Sequence, residues 1–395
     1  MKKFVLASAA TLVATSAFAQ DDTVKLGIIL GYTGPLESLA PGMESGAKLA
    51  IAEVNESGAL LGGTTVEAVT GDSTCVDAAA ATAAAERLVT GDGVVGIMGA
   101  DCSGVTGAIL SNVAVPNGVV VISPSATSPG LTAAEDNGLF FRTAPSDARQ
   151  GQIISDILME KGIETVAVTY TNNDYGKGLA DAFQSAYEEA GGTVTISAAH
   201  EDGKADYSAE VGALAAAGGD RLVVAGYVDQ GGSGIVRAAL DSGAFDTFHF
   251  PDGMIAQALV DNFGSEIDGS SGDNPGTDSE GAKLYQDMAT EEGYDGTSAF
   301  SAESYDAAAL MMLAMQAAGS TDPAAWKESV MDVANAPGEQ ILPGELEKAL
   351  QILQEGGDVD YVGASAVELI EPGESAGNYR VVGFENGEMV VEGYR

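Results

Sequence analysis

The chain is predicted to be an α/β protein of two Rossmann-like lobes, each built on a parallel sheet and joined by a multi-crossing hinge. Three observations carry that prediction. The chain has 395 residues, too many for one small core. Its strand candidates are apolar throughout rather than alternating, as in parallel sheets covered on both faces. The strand–helix alternation also runs through once and then starts again, which implies two similar lobes in series.

The first series opens with VKLGIIL from Val24, a strand. A glycine-proline loop follows, then a helix with Ala47, Ala50, Ile51 and Val54 on one face. TTVEAVT from Thr64 is the next strand, and the alanine-rich run from Ala78 to Val89 the next helix. VVGIMGA from Val94, a helix from Gly104 and VVVIS from Val119 continue the series. The second series starts with a helix marked by Ile153, Ile154, Ile157 and Leu158. TVAVTYT from Thr165, a helix from about Tyr175 to Ala190, and TVTISAA follow. Tyr207, Val211 and Leu214 mark a further helix, before RLVVAGY from Arg221, a helix from about Gly234, and TFHFP from Thr247.

GSSGDNPGTDSEG, from Gly269 to Gly281, is polar and glycine-rich and reads as a linker or crossover. Three helices come next, the clearest from Ala302 to Ala318 with Gly319 as its C-terminal cap. AVELI and YRVVGFENGEMVVEGYR read as strands, the latter turning at Asn386-Gly387. A strand-rich tail after those helices implies that the chain crosses between lobes more than once. The expected division is a leader over 1–19, an N-terminal lobe of 20–145 and 276–360, and a C-terminal lobe of 146–275 and 361–395.

The leader reads as a secretory signal: Lys2 and Lys3, an apolar stretch from Phe4 to Ala14, and Ala17-Phe18-Ala19 as the cleavage site. It predicts export to a bacterial periplasm, with cleavage after Ala19. The longest later apolar run, Ala307 to Gly319, is too short to span a bilayer. A formal charge of −41 disfavours nucleic acid and anionic lipid as partners. The acidic residues are scattered, so the charge reads as a solvated surface. Two cysteines in an exported chain, Cys75 and Cys102, point to one disulfide. A zinc site would need more ligands than His200 and His249 provide.

Ligands of parallel α/β sheets bind beyond the carboxyl ends of the strands. The loops there are GYTGPLESLAPG, ADCSG and SPSATSPG in the first lobe, and TNNDYGKG, GYVDQGG and FPDG in the second. They carry hydroxyls, tyrosines and the carboxylate of Asp252, and no histidine. Ser103-Gly104 opens a helix, where a hydroxyl and free N–H groups can hold a carboxylate or phosphate, or where Ser103 caps the helix and nothing more. Ser125 and Thr127 sit in a proline-rich turn, where such residues are common. GDGVVG, from Gly91 to Gly96, has dinucleotide-loop spacing but precedes a strand instead of following one. A cysteine nucleophile would need a basic partner, so no enzyme and no cofactor are expected.

VKLGIILGYTGPLESLAPGMESGAKLAIAEVN resembles the opening of the bacterial leucine/isoleucine/valine-binding proteins, the type I periplasmic binding proteins that feed ABC importers. CSGVTGAILSNVAVPNGVVVISPSATSPGLT, NNDYGKGLADAF and YDAAALMMLAMQAAG are similar to the family's later signatures, in the same order. The resemblance implies that Ser103 and Thr127 bind a ligand carboxylate and that the Ser125 carbonyl and Asp252 bind its ammonium. It implies Tyr227 beside Asp252, Tyr175 closing over the ligand, Phe300 as a pocket residue, and Cys75–Cys102 as the family's disulfide. Two positions depart. Leu39 stands where the family often has an aromatic, and Asp252 where it usually has the longer glutamate. The implied function is capture of a leucine, isoleucine or valine type of amino acid by a monomer that closes at its hinge and docks on a membrane permease. Relatives that bind amides, urea, 4-aminobutyrate or aromatic acids, or that serve a membrane receptor, are the alternatives.

Overall fold

The computed structural model describes residues 23–395, so the expected leader lies outside the described residues. The strands are β1 (Thr23–Leu30), β2 (Thr65–Asp72), β3 (Gly96–Gly99), β4 (Val120–Ser123), β5 (Phe140–Pro145), β6 (Thr165–Thr171), β7 (Thr193–His200), β8 (Arg221–Ala225), β9 (Phe248–Phe250), β10 (Ser271–Pro275), β11 (Glu339–Ile341), β12 (Val359–Tyr361), β13 (Leu369–Ile370), β14 (Glu374–Ser375), β15 (Tyr379–Glu385) and β16 (Glu388–Tyr394). They form two seven-stranded sheets, β13-β14-β5-β4-β3-β1-β2 and β16-β15-β10-β9-β8-β6-β7, and a small parallel pair, β11-β12. The first five strands run parallel, as do β6 to β10; the antiparallel pairings come from the tail. β3, β4 and β8 are buried along their whole length, which is why their sequence shows no alternation.

Helices cover both sheets. Ala40–Ser57 buries Ala47, Ala50, Ile51 and Val54, the stripe expected from its spacing. It packs against Ser301–Ala318, whose interior is buried almost throughout. Gly46 permits that contact: a Cβ there would meet the Ser301 carbonyl oxygen at 2.2 Å. Gly319 ends the later helix in the left-handed conformation, as expected of a C-terminal cap. Asn386 and Gly387, both at positive φ, turn the β15–β16 hairpin.

Three differences from the sequence reading bear on how the lobes are built. Ser271–Pro275, within the expected linker, is a buried strand between β9 and β15. Its polar side chains are matched inside the lobe: Ser271 Oγ accepts from Arg221 Nη1 at 2.9 Å, and Asp273 lies 2.8 Å from His249 Nε2. The tail was expected to join the second lobe from 361, but β13 and β14 pair into the first sheet beside β5. The last crossing therefore lies between Ser375 and Tyr379. β5 itself went unpredicted, although its residues are buried throughout.

The chain thus crosses between lobes three times, after β5, after β10 and after β14. The crossings are bound together. Gly276 N–H donates to the Asn378 carbonyl at 3.0 Å, and β14 pairs with β5. Gly377, at φ +88°, lies so close to Pro145 that a Cβ would sit 2.5 Å from the proline ring.

Cys75 and Cys102 are bridged, with Cα atoms 5.1 Å apart. The bridge ties the loop after β2 to the start of helix Ser103–Ile109. Its sequence separation of 27 residues leads to an expected loss of about 3–4 kcal/mol when both cysteines become serine. Denaturant unfolding should show this as a lower midpoint with ligand binding retained in weaker form.

Candidate functional site

The first-lobe half of the site is organised by Asp101, a fully buried carboxylate. Its Oδ2 accepts from Gly31 N–H at 2.7 Å, and its Oδ1 accepts from the Ser73 hydroxyl at 3.0 Å and from Cys102 N–H at 3.1 Å. One side chain therefore holds the loops after β1, β2 and β3 together. Burial pushes its carboxyl above the usual carboxylate range, while these donors pull it back. Ser125 Oγ donates to the Asp101 carbonyl at 3.0 Å, which joins the loop after β4 to the same group.

Ser103 does not cap its own helix. Cys102 occupies the N-cap position, and Ser103 Oγ accepts from Ser128 N–H at 3.1 Å across the loop. The Thr127 hydroxyl is buried without a partner, and its carbonyl accepts from Asp147 N–H at 2.8 Å. Ser103, Ser125 and Thr127 are thus gathered on one rim of the first lobe.

Tyr175, Tyr227 and Asp252 come together in the second lobe. The tyrosine rings stack with centroids 5.1 Å apart and planes 14° from parallel. Tyr175 hydroxyl donates to Asp252 Oδ1 at 2.6 Å, and Gly253 N–H donates to the same oxygen at 2.7 Å. Asp252 Oδ2 is buried and has no partner. Burial is the main cause that pushes this carboxyl up to about 7, against the pull of the Tyr175 hydroxyl.

Asp147 was missed in the sequence. It opens helix Asp147–Glu160 just after the first crossing; its carboxylate oxygens are buried with no hydrogen bond of ordinary geometry, and the Thr127 hydroxyl is near enough to pull its carboxyl down. Burial pushes its carboxyl well up, and the charge of Asp252 adds to this. Gln150, one turn on, donates through Nε2 to Asp273 at 3.0 Å and leaves Oε1 unpartnered. The Tyr379 hydroxyl, just after the third crossing, is likewise buried and unpartnered. In sequence Asp147 looks like an acidic residue placed for the helix dipole. The actual cap is Ser146, which accepts from Ala148 N–H at 3.3 Å. The groups around Asp147, namely Thr127, Arg142, Asp252 and Asp273, come from segments apart in sequence, which local pattern does not reveal.

Leu39 and Phe300 lie apart from the carboxylates. Leu39 lines an interlobe groove of about 600 Å³ with Ile255 and Ala256 from the second lobe. Phe300 is buried at φ 64°, just ahead of helix Ser301–Ala318. Among the described residues no aromatic contact joins Phe300 to the Tyr175–Tyr227 stack, and no cluster of metal-binding side chains occurs.

Two α/β lobes joined by three crossings, with a hydroxyl rim on one and a buried acidic pair on the other, make a two-lobed protein with a candidate ligand site. The chain belongs to the periplasmic binding protein family, whose model matches residues 23–337. It is 30% identical over 306 residues to the Leu/Ile/Val-binding protein homolog 1 of Brucella melitensis, covering 76% of this chain and 80% of that one. With homolog 3 of the same organism it shares 33% identity over 228 residues, a match that spans 58% of this chain and 60% of that relative. Among solved structures, a leucine-binding protein, LivK, of Thermotoga maritima superimposes with a TM-score of 0.79 at 24% identity, covering 94% of this chain and 98% of that one. A solute-binding protein of R. palustris in complex with benzoate superimposes at 0.75 with 18% identity, covering 94% and 96%. At these identities the structures establish the fold alone.

The buried carboxyls set an expectation for stability. In the ligand-free protein Asp252 holds its proton up to about pH 7, whereas an unfolded aspartate releases it near ~4. The folded state therefore binds more protons over that window, and its stability falls as pH rises through it. Asp147→Asn removes one of the two facing charges. Calorimetry should show a higher melting temperature for this variant than for wild type at pH 8, and little difference at pH 5.

Proposed function

We propose that the chain captures a small amino acid, of the leucine, isoleucine or valine type, in the interlobe cleft of a periplasmic protein and delivers it to a membrane importer. The observation that carries this is the set of three unpartnered carboxylate oxygens on Asp147 and Asp252. No lysine or arginine pairs with either residue among the described residues. Two buried carboxylates with open oxygens are costly unless a cation satisfies them, and a ligand ammonium is such a cation. The Thr127 hydroxyl and the Ser103–Ser128 rim offer donors to the ligand's carboxylate, which shares a carbon with the ammonium. Leu39 and Phe300 are assigned to the walls beside the ligand side chain. An aromatic acid brings only a further anion toward Asp147 and Asp252, so the site disfavours it. The names of the Brucella melitensis relatives agree with a branched-chain ligand. The export signal over 1–19 and a monomeric working form belong to the same reading, and no turnover of the ligand is expected.

Isothermal titration tests it. Leucine, isoleucine or valine should bind with micromolar or tighter affinity, and benzoate should not. Asp252→Ala should weaken binding at least about 30-fold, as truncating one partner of a buried charge pair costs about 2–5 kcal/mol. Tight binding of benzoate with no heat from any amino acid would falsify the assignment.

The pH dependence has a definite sign. The ammonium needs ionised carboxylates, and Asp252 is protonated below about pH 7 in the ligand-free protein. Binding should therefore release protons, and leucine affinity should fall as pH drops from 8 to 5. Titration in buffers of different ionisation enthalpy measures that release directly.

A further inference from the structure

We propose that Asp229 is the latch of the closed form: a positioning residue that clasps the Pro35–Ser38 loop across the cleft and so sets how long a bound ligand stays. The inference rests on the amino-acid reading above for its ligand, and on geometry for its mechanism.

Asp229 follows β8 in the second lobe, and Pro35–Ser38 follows β1 in the first. Two hydrogen bonds join them in opposite directions. Ser38 N–H donates to Asp229 Oδ2 at 2.8 Å, and Asp229 N–H donates to the Pro35 carbonyl at 3.1 Å. Away from the crossings one other hydrogen bond spans the lobes among the described residues, from Arg380 Nη1, just past the third crossing, to the Thr297 carbonyl at 3.2 Å. The other side of the cleft closes by packing alone: a Cβ on Gly178 would lie 2.9 Å from Pro129 Cδ.

Both halves of the clasp are braced. On the second lobe, Asp229 is two residues beyond Tyr227, which stacks on Tyr175. Val228 N–H donates to the Gly253 carbonyl at 3.0 Å, and Gly232 N–H to the Tyr227 carbonyl at 3.1 Å. The latch and Asp252 therefore sit on one frame and move together. On the first lobe, Gly31 is held by Asp101, and Leu39 N–H donates to the Leu36 carbonyl at 3.0 Å. Gly34, at φ +110°, lies against the loop of the disulfide: a Cβ there would meet the Thr74 carbonyl oxygen at 2.4 Å. Any motion that brings Asp252 over the cleft thus brings Asp229 onto Ser38. Asp229 and Ser38 stand outside the Asp147–Asp252 pair, Ser38 on the groove that Leu39 also lines, so the clasp acts on closure rather than on the ammonium.

The predicted signature is kinetic. Charge-assisted hydrogen bonds formed only on closure slow opening and leave encounter with the open cleft untouched. In stopped-flow measurements with leucine, Asp229→Ala should release ligand about fivefold to tenfold faster, with the association rate within about twofold of wild type. Asp229→Asn keeps an oxygen that can accept from Ser38 N–H and should restore most of the slow release. The ligand-free melting temperature should not change in either variant, which separates the latch from a structural role. Hydrogen exchange of the ligand-bound protein reads the clasp directly: protection at Ser38 should drop in Asp229→Ala. Equal exchange over residues 35–39 in wild type and Asp229→Ala overturns the latch, as does an unchanged release rate. Failure of the wild type to bind leucine overturns the amino-acid reading instead, and the same exchange comparison made with benzoate bound then decides the latch.

Discussion

The arrangement at the cleft depends on two carboxylates kept out of water with their oxygens unmatched. Asp147 and Asp252 approach from different segments, one opening the helix after the first crossing, the other from the loop after β9. Neither could remain there on a loosely built lobe, because an unpaired buried charge would draw water in or swing outward. Tyr175 and Gly253 pin one oxygen of Asp252, and the Tyr227 ring backs Tyr175. Beneath them Asp273 is itself matched, by Gln150 on one oxygen and His249 on the other. The second lobe thus confines its electrostatic cost to the atoms that face the cleft.

The first lobe solves a different problem, that of holding several loop ends in register. Asp101 does this with donors from three loops, and the Cys75–Cys102 bridge adds a covalent tie between two of them. The hydroxyl of Ser103 is engaged by the Ser128 amide, so the rim is set before any ligand arrives. Such pre-organisation lowers the ordering cost of binding. A rigid hydroxyl rim on one lobe and a strained acidic pair on the other make a cleft whose two halves are unlike in charge.

Much of this was legible in the sequence wherever local pattern and local structure agree. Apolar runs gave away β1, β4, β6 and β8 because those strands are covered on both faces, and the stripe of Ala47, Ala50, Ile51 and Val54 is the buried face of its helix. The loops that carry Tyr175, Tyr227 and Asp252 could be placed because each follows a strand that was itself readable, and the family resemblance then gave the two tyrosines their roles. What escaped depends on distant partners. Ser271–Pro275 looked like a linker because its serine, aspartate and asparagine are polar; Arg221 for the serine, His249 and Gln150 for the aspartate and Arg380 for the asparagine make them buriable. The short β13 and β14 carry too few residues for a periodic signal, so the third crossing was placed too early. Asp147 was invisible for the same reason, since its burial is created by chain segments far away in sequence.

The two departures from the family pattern acquire a common physical reading from Asp147. An aspartate at position 252 reaches one methylene less far into the cleft than a glutamate would. Its free oxygen is directed by the Tyr175 hydroxyl and Gly253 amide, which occupy the other one. On the proposed reading an ammonium held there is met by Asp147 as well, whose own amide is bonded to the Thr127 carbonyl of the first lobe. Recognition of the positive end is then shared between an element fixed to the second-lobe loops and one anchored against the first-lobe rim. The shorter side chain no longer has to span the gap alone. On the same reading Leu39 puts an aliphatic group where the family often has a ring, so selection among side chains falls to the size and apolar character of the wall it shares with Phe300, where each methylene is worth about 1–3 kcal/mol. Charge would therefore decide which class of molecule enters, and the wall opposite would decide which member of that class is held.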